Sequence, residues 1–136
     1  MKEAKTYLGE LKKINKLIDI KTEEIQKYYD QALNITARLD GERVSSSGRN
    51  DKMAEAVTQY VDKGKEISVE IHGLLKKKNG IMDTVERLPA DEYIVIYEIY
   101  VKGSRTKTVA DLCDKSESWV VKTHKKALRL INEMIN

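Results

Sequence analysis

The sequence predicts an all-α chain: a long antiparallel helical hairpin, coiled-coil-like, followed by a smaller unit of three short helices. Three observations predict it. Apolar residues step by three and four along two separate stretches, each sustained over about five heptads. The 136 residues contain no Phe, one Pro and 35% charged residues, a balance that suits long water-facing helices better than a sheet. The rhythm breaks at residues 40–52 and again at Pro89, which divides the chain into two arms and a C-terminal unit.

In the first arm, residues 1–39, the stripe is Ala4, Tyr7, Leu11, Ile14, Ile18, Lys21, Ile25, Tyr28, Ala32, Ile35 and Leu39, with Lys21 as its one polar member. Residues 40–52, DGERVSSSGRNDK, hold two Gly, three Ser and several charges and predict a loop. It reads as a linker or, through Arg43 and Arg49, as a contact for a protein partner or for phosphate. The second arm carries Met53, Val57, Tyr60, Gly64, Ile67, Ile71, Leu74, Lys78, Ile81, Val85 and Leu88, interrupted only by Gly64 and Lys78. The two stripes mirror each other about Ser46, so folding back sets Tyr28 over Gly64, Lys21 opposite Ile71 and Ile14 opposite Lys78. Each arm would be roughly 50 Å long. The mirror pattern serves pairing within one chain or between two. Because two helices bury only one face each, residues 1–88 are expected to associate further, with a second copy as a homodimer, with the C-terminal domain, or with a partner.

Residues 89–136 form the second expected domain. Pro89 steers the chain out of the second arm, and Asp91 and Glu92 supply negative charge to a new helix. That helix, about Asp91 to Val101, carries Ile94, Val95, Tyr97, Ile99 and Val101 and should be a buried scaffold closed by Gly103. Thr106 or Ser104 can cap the next helix, with Val109, Ala110, Leu112 and Cys113 facing inward. A polar turn, Asp114-Lys115-Ser116, leads to a last helix capped by Ser116 and favoured by Glu117. Val120, Ala127, Leu128 and Ile131 recur on one side of it, with Thr123 or His124 filling the intermediate turn.

Two short helices joined by a tight turn have the layout of a helix-turn-helix whose second helix enters the DNA major groove. On its outer face Glu117, Ser118, Val121, Lys122 and Lys125 have the reach to read bases. Lysine can donate to guanine O6/N7, glutamate can accept from cytosine N4, and valine can touch a thymine methyl. Arg105, Lys107, Ser116 and Lys126 suit phosphate contacts, which set register and make binding salt-sensitive. The charge is placed accordingly. Residues 102–129 hold eight Lys/Arg against three acids, within a chain whose net charge is only +3. The same lysines would also suit a solvated amphipathic helix.

The run LPADEYIVIYEIYVKG with TVADLCDKSESWVVKTHKKALRLI resembles region 4 of bacterial sigma factors over about 45 residues. With the upstream RVSSSGRNDKMAEAV between two long helices, nearly the whole chain resembles the phage ArpU/RinA-type transcriptional regulators. That resemblance implies a sigma-region-4-like C-terminal domain, double-stranded DNA as ligand, bacterial RNA polymerase as partner, and activation of phage or prophage late genes. Asp114 and Lys115 depart from the usual glycine and buried aliphatic, which predicts a looser or reoriented turn. Trp119 stands where a small or polar residue is commoner and is expected to pack on the turn. The base-facing residues differ, so sigma-factor promoter specificity does not carry over.

No enzyme is expected. There is no GxxxxGK[ST], no GxGxxG and no paired acid and base. His72 and His124 lack partners at metal-ligand spacing, and Cys113 reads as a small core hydrophobe, so neither metal nor cofactor is expected. A single cysteine excludes an internal disulfide, and no apolar run is long enough for a membrane span or signal peptide, so a cytoplasmic protein is expected, and the resemblance implies the bacterial host cell as its place. Two other functions use the same parts: a small-terminase-like subunit recognising DNA for packaging, and a coiled-coil adaptor that binds protein.

Overall fold

The computed structural model describes the backbone of residues 2–41 and 47–136, and the side chains of 3–38 and 51–136. The described residues are all-α. The order is α1 (Lys2–Gly41), α2 (Ser47–Glu86), α3 (Ala90–Ile96) running into a π-helical turn (Tyr97–Val101), α4 (Thr106–Cys113) and α5 (Glu117–Ile135).

The loop expected over 40–52 is shorter than its composition suggests. α1 continues to Gly41 and α2 begins at Ser47, so only 42–46 lie between them, outside the described residues together with Arg43. Gly and Ser are weak helix formers, but propensity is a weak prior, about 1 kcal/mol even for Gly, and two long helices can extend through such residues.

α1 and α2 pair as an antiparallel hairpin, and every described stripe residue of both arms is buried or half-buried. The pairing is close to the mirror register. The Tyr7 and Thr84 hydroxyls lie 2.9 Å apart, and Lys21 forms an ion pair with Glu70, the neighbour of the expected Ile71. That carboxylate raises the Lys21 ammonium above its usual value. The large-over-small pairing at Gly64 uses Tyr29 in place of Tyr28. A Cβ at Gly64 would fall 2.6 Å from the Tyr29 ring, so any larger residue would require that ring to move, while Tyr28 packs against Tyr60 at 6.1 Å between ring centres. The heptad stripe cannot distinguish two adjacent tyrosines that both lie near the seam.

By compactness the chain divides into Met1–Lys16 with Lys76–Asn136, and Leu17–Leu75. The first unit has a dry core: Leu8, Leu11, Val85, Val95, Ile96, Val109, Val120, Leu128 and Ile131 are all below 2% exposure. α2 stops at Glu86, three residues before Pro89, and Pro89 is the N-cap residue of α3, its carbonyl accepting from the Tyr93 N–H at 2.8 Å. The π-helical turn closes where the Lys102 N–H reaches the Tyr97 carbonyl at 3.2 Å, and Gly103 leaves it at φ 74°, the left-handed region glycine enters freely. No described helix is long and apolar enough to cross a membrane.

Candidate nucleic-acid interface

The interface candidate is α4, the turn and α5. Neither Thr106 nor Ser104 caps α4 with its side chain: Arg105 is the N-cap residue, and the Ser104 hydroxyl is directed to Glu98 Oε2 at 3.4 Å. Glu98 sits at the start of the π-helical turn and is nearly buried, so the serine and the Lys102 ammonium, 3.5 Å from Oε1, answer a carboxylate that sequence alone leaves on the surface. Val109 and Ala110 face inward as expected, and Cys113 is half-buried, but Leu112 is 62% exposed. Val109, Cys113 and Ala110 span an arc of about 100° around the helix, and Leu112 lies about 110° from its middle.

The turn is closed. Asp114 adopts the left-handed conformation, φ 53° and ψ 44°. Its N–H points to the Asp111 carbonyl at 3.4 Å, and the Lys115 N–H donates to the Ala110 carbonyl at 3.0 Å. These are the two hydrogen bonds of a Schellman ending, usually built with glycine. The looser turn expected from the missing glycine is not found, because aspartate is among the few residues that tolerate this conformation. Ser116 then caps α5, its hydroxyl accepting from the Trp119 N–H at 3.0 Å. Trp119 packs against the cluster of Val95, Val109, Ala110 and Val120, and the Lys115 ammonium stands 5.7 Å from its ring centre. The indole thus packs chiefly on the core beneath the turn, with Lys115 as its neighbour from the turn itself.

α5 buries Val120, Thr123, Ala127, Leu128 and Ile131. The opposite face presents all five expected base readers, Glu117, Ser118, Val121, Lys122 and Lys125, exposed and within the first half of the helix. Arg105 and Lys107 are also exposed, at the start of α4. Two expected phosphate contacts carry other duties. The Ser116 hydroxyl is the cap, and the Lys126 ammonium lies 3.4 Å from Glu92, a carboxylate only 8% exposed. Lys126 thus ties α5 to α3 and offers less free charge than its sequence position suggests.

Sequence reasoning missed three members of this unit. Glu92 read as a first-turn acid, which it is, but its burial and its partner depend on how α5 crosses α3. Tyr100 and His124 are the other two, with the phenol oxygen and Nε2 at 2.8 Å. Burial pushes the Tyr100 hydroxyl above its usual value, and burial, with Lys5 as the smaller cause, pushes the His124 imidazole below 6.5. The phenol keeps its proton and the ring stays neutral, so the hydroxyl can donate to the free nitrogen. Their 24-residue separation gave no signal.

Among the described residues no group of three His, Cys, Asp or Glu could hold a metal ion. Comparison of the chain with protein-family models, with curated proteins and with solved structures finds no significant match.

Proposed function

We propose that this chain is a sequence-specific DNA-binding transcriptional regulator of phage or prophage genes, acting with host RNA polymerase. One observation carries the reading. The first half of α5 offers Ser118, Val121, Lys122 and Lys125 as a continuous exposed strip, next to a hydrogen-bonded turn and backed by a dry core. A recognition helix needs this combination, because base contacts reward only side chains whose backbone is already fixed. Arg105 and Lys107 lie on the adjoining helix, where phosphate contacts would set the register. The resemblance of the same residues to region 4 of sigma factors, and of the longer chain to the ArpU/RinA-type regulators, supports polymerase as the partner and late genes as the target.

Lys122 and Lys125 are exposed and have no ion-pair partner among the interactions described, so replacing them should leave the fold intact. The test is selection of binding sites from random duplex DNA, followed by titration of the best site. Lys122→Ala with Lys125→Ala should weaken binding by about 10–100-fold per lost base contact and relax specificity at the contacted positions, with the helical circular dichroism unchanged. Unaltered affinity for the double variant would remove α5 as the reading element. Selected sites that fall at promoters support transcription, whereas sites confined to a packaging sequence would move the function there.

A further inference from the structure

The hairpin carries a second stripe beside its seam. With Ala4, Leu11, Ile18, Ile25 and Ala32 as heptad position a, position e of α1 holds Leu8, Asn15, Thr22, Tyr29 and Thr36. With Val57, Gly64, Ile71, Lys78 and Val85 as position a of α2, its position e holds Ala54, Val61, Ser68, Leu75 and Met82. All ten are uncharged. Position g, on the other flank, contains Glu10, Glu24, Arg38, Lys63, Glu70 and Lys77. In an antiparallel pair e meets e on one face and g meets g on the other, so the hairpin has one uncharged face and one charged face. Two-stranded coiled coils place charge at both flanks, and a stripe of a, d and e marks a helix that faces a bundle core.

The side chains agree with the pattern. In the unit Leu17–Leu75 a recess of about 300 Å³ on the e side is lined by Tyr29, Ala32, Leu33, Thr36, Val57 and Val61, with no Lys, Arg, Asp or Glu among them. The groove of about 520 Å³ on the g side is walled by Lys21, Glu24, Lys27, Lys63, Glu66 and Glu70. On the e face Leu33 is 66% exposed and Leu75 40%. The Thr22 and Thr36 hydroxyls are already spent on the Ile18 and Ala32 carbonyls, at 2.7 and 2.9 Å, so this face is drier than its residue types imply. In the other compact unit the same heptad position is interior, since Leu8 is fully buried.

The geometry points to a second copy of this chain as the occupant of the e face of Leu17–Leu75, two hairpins packing about a two-fold axis into a four-helix bundle. A two-fold interface brings each patch against its own image, and an uncharged patch then buries no fixed charge of either copy. The patch is also self-complementary. The projecting Leu33 stands beside an apolar recess, so each copy can place its leucine in the other's. From Leu17 to Arg38 two adjacent helices present roughly 650 Å² per copy, or roughly 1,300 Å² for the pair, within the range of specific interfaces. This pairing is independent of whether α5 reads DNA, because no residue of α5 takes part.

Sedimentation equilibrium of the full chain tests it. The wild type should have twice the 15.6 kDa chain mass. Leu33→Glu with Val61→Glu should weaken the dimer at least about 100-fold, since burying unpaired carboxylates is costly. Thr22→Glu with Thr36→Glu, at exposed positions, should do the same with unchanged circular dichroism and decides the matter if the first pair impairs folding. Gln31→Glu with Ala56→Glu, on the charged flank, should leave the dimer intact. A monomeric wild type, a ring-sized oligomer, or a dimer that survives the exposed threonine substitutions would overturn the proposal.

Discussion

The two compact units of this chain are built from the same residue types and reach different depths of burial. Among the described seam residues of Leu17–Leu75 three are buried, Ala32, Gly64 and Ile67, and the others are half-buried. In the unit that includes α3, α4 and α5, side chains from several helices fall to zero exposure, among them Leu8, Val85, Val95 and Val120. The difference lies in the number of layers. A pair of helices shields one face of each, whereas a third and fourth helix close a core. Interior polar groups become possible only in the second case, which is why Glu92 and Glu98 are buried there.

The largest expected effect is a direct test of that contrast. Leu128→Ala removes a side chain that is 1% exposed and should cost about 3–4 kcal/mol in urea unfolding, whereas Ile25→Ala, at a half-buried seam position, should cost about 1–2. Equal costs would mean that the two units do not differ in packing. A middle-sized effect compares two ion pairs. Lys126→Ala leaves the nearly buried Glu92 without its cation and should cost about 1–2 kcal/mol, the lysine itself being mostly exposed. Lys63→Ala, which breaks an exposed pair with Glu66, should cost about 0–0.5 kcal/mol in the same assay.

The smallest effect is a pH dependence confined to the layered unit. The folded state holds the His124 imidazole below 6.5, so folding disfavours its protonation. Stability from this group is complete above 6.5 and declines as pH falls from there through the lowered folded value. His124→Gln should flatten the decline of thermal stability as pH falls below 6.5. A slope in the variant identical to the wild type would assign the pH dependence elsewhere.

Where the sequence was legible, a strict period did the work. Each described seam residue, from Ala4 to Ile35 and from Met53 to Leu88, is buried or half-buried because a rhythm of three and four can only be satisfied by one helix face. The exposed strip of Glu117, Ser118, Val121, Lys122 and Lys125 was legible for the same reason, being the complement of Val120, Ala127 and Leu128 on a helix with a strong cap at Ser116. Legibility failed where neighbours compete for one place. Tyr29 took the position over Gly64 expected for Tyr28, and Leu112 turned outward because Val109, Ala110 and Cys113 together defined the buried arc of a short helix. It failed also for the turn, where a missing glycine suggested loosening and Asp114 accepted the left-handed conformation.

The sequence alone determined the class of the fold, the positions of the two long helices to within a few residues of the break between them, and the outward strip of α5. These follow from local periodicity, capping chemistry and the geometry of proline, which act within a few residues of chain. Only the tertiary structure decided that Lys126 serves Glu92, that Tyr100 and His124 pair, and that Ser104 turns to Glu98. Those partners depend on how α3, its π-helical turn and α5 are oriented. No periodicity encodes a contact between residues whose distance is set by the crossing of two helices.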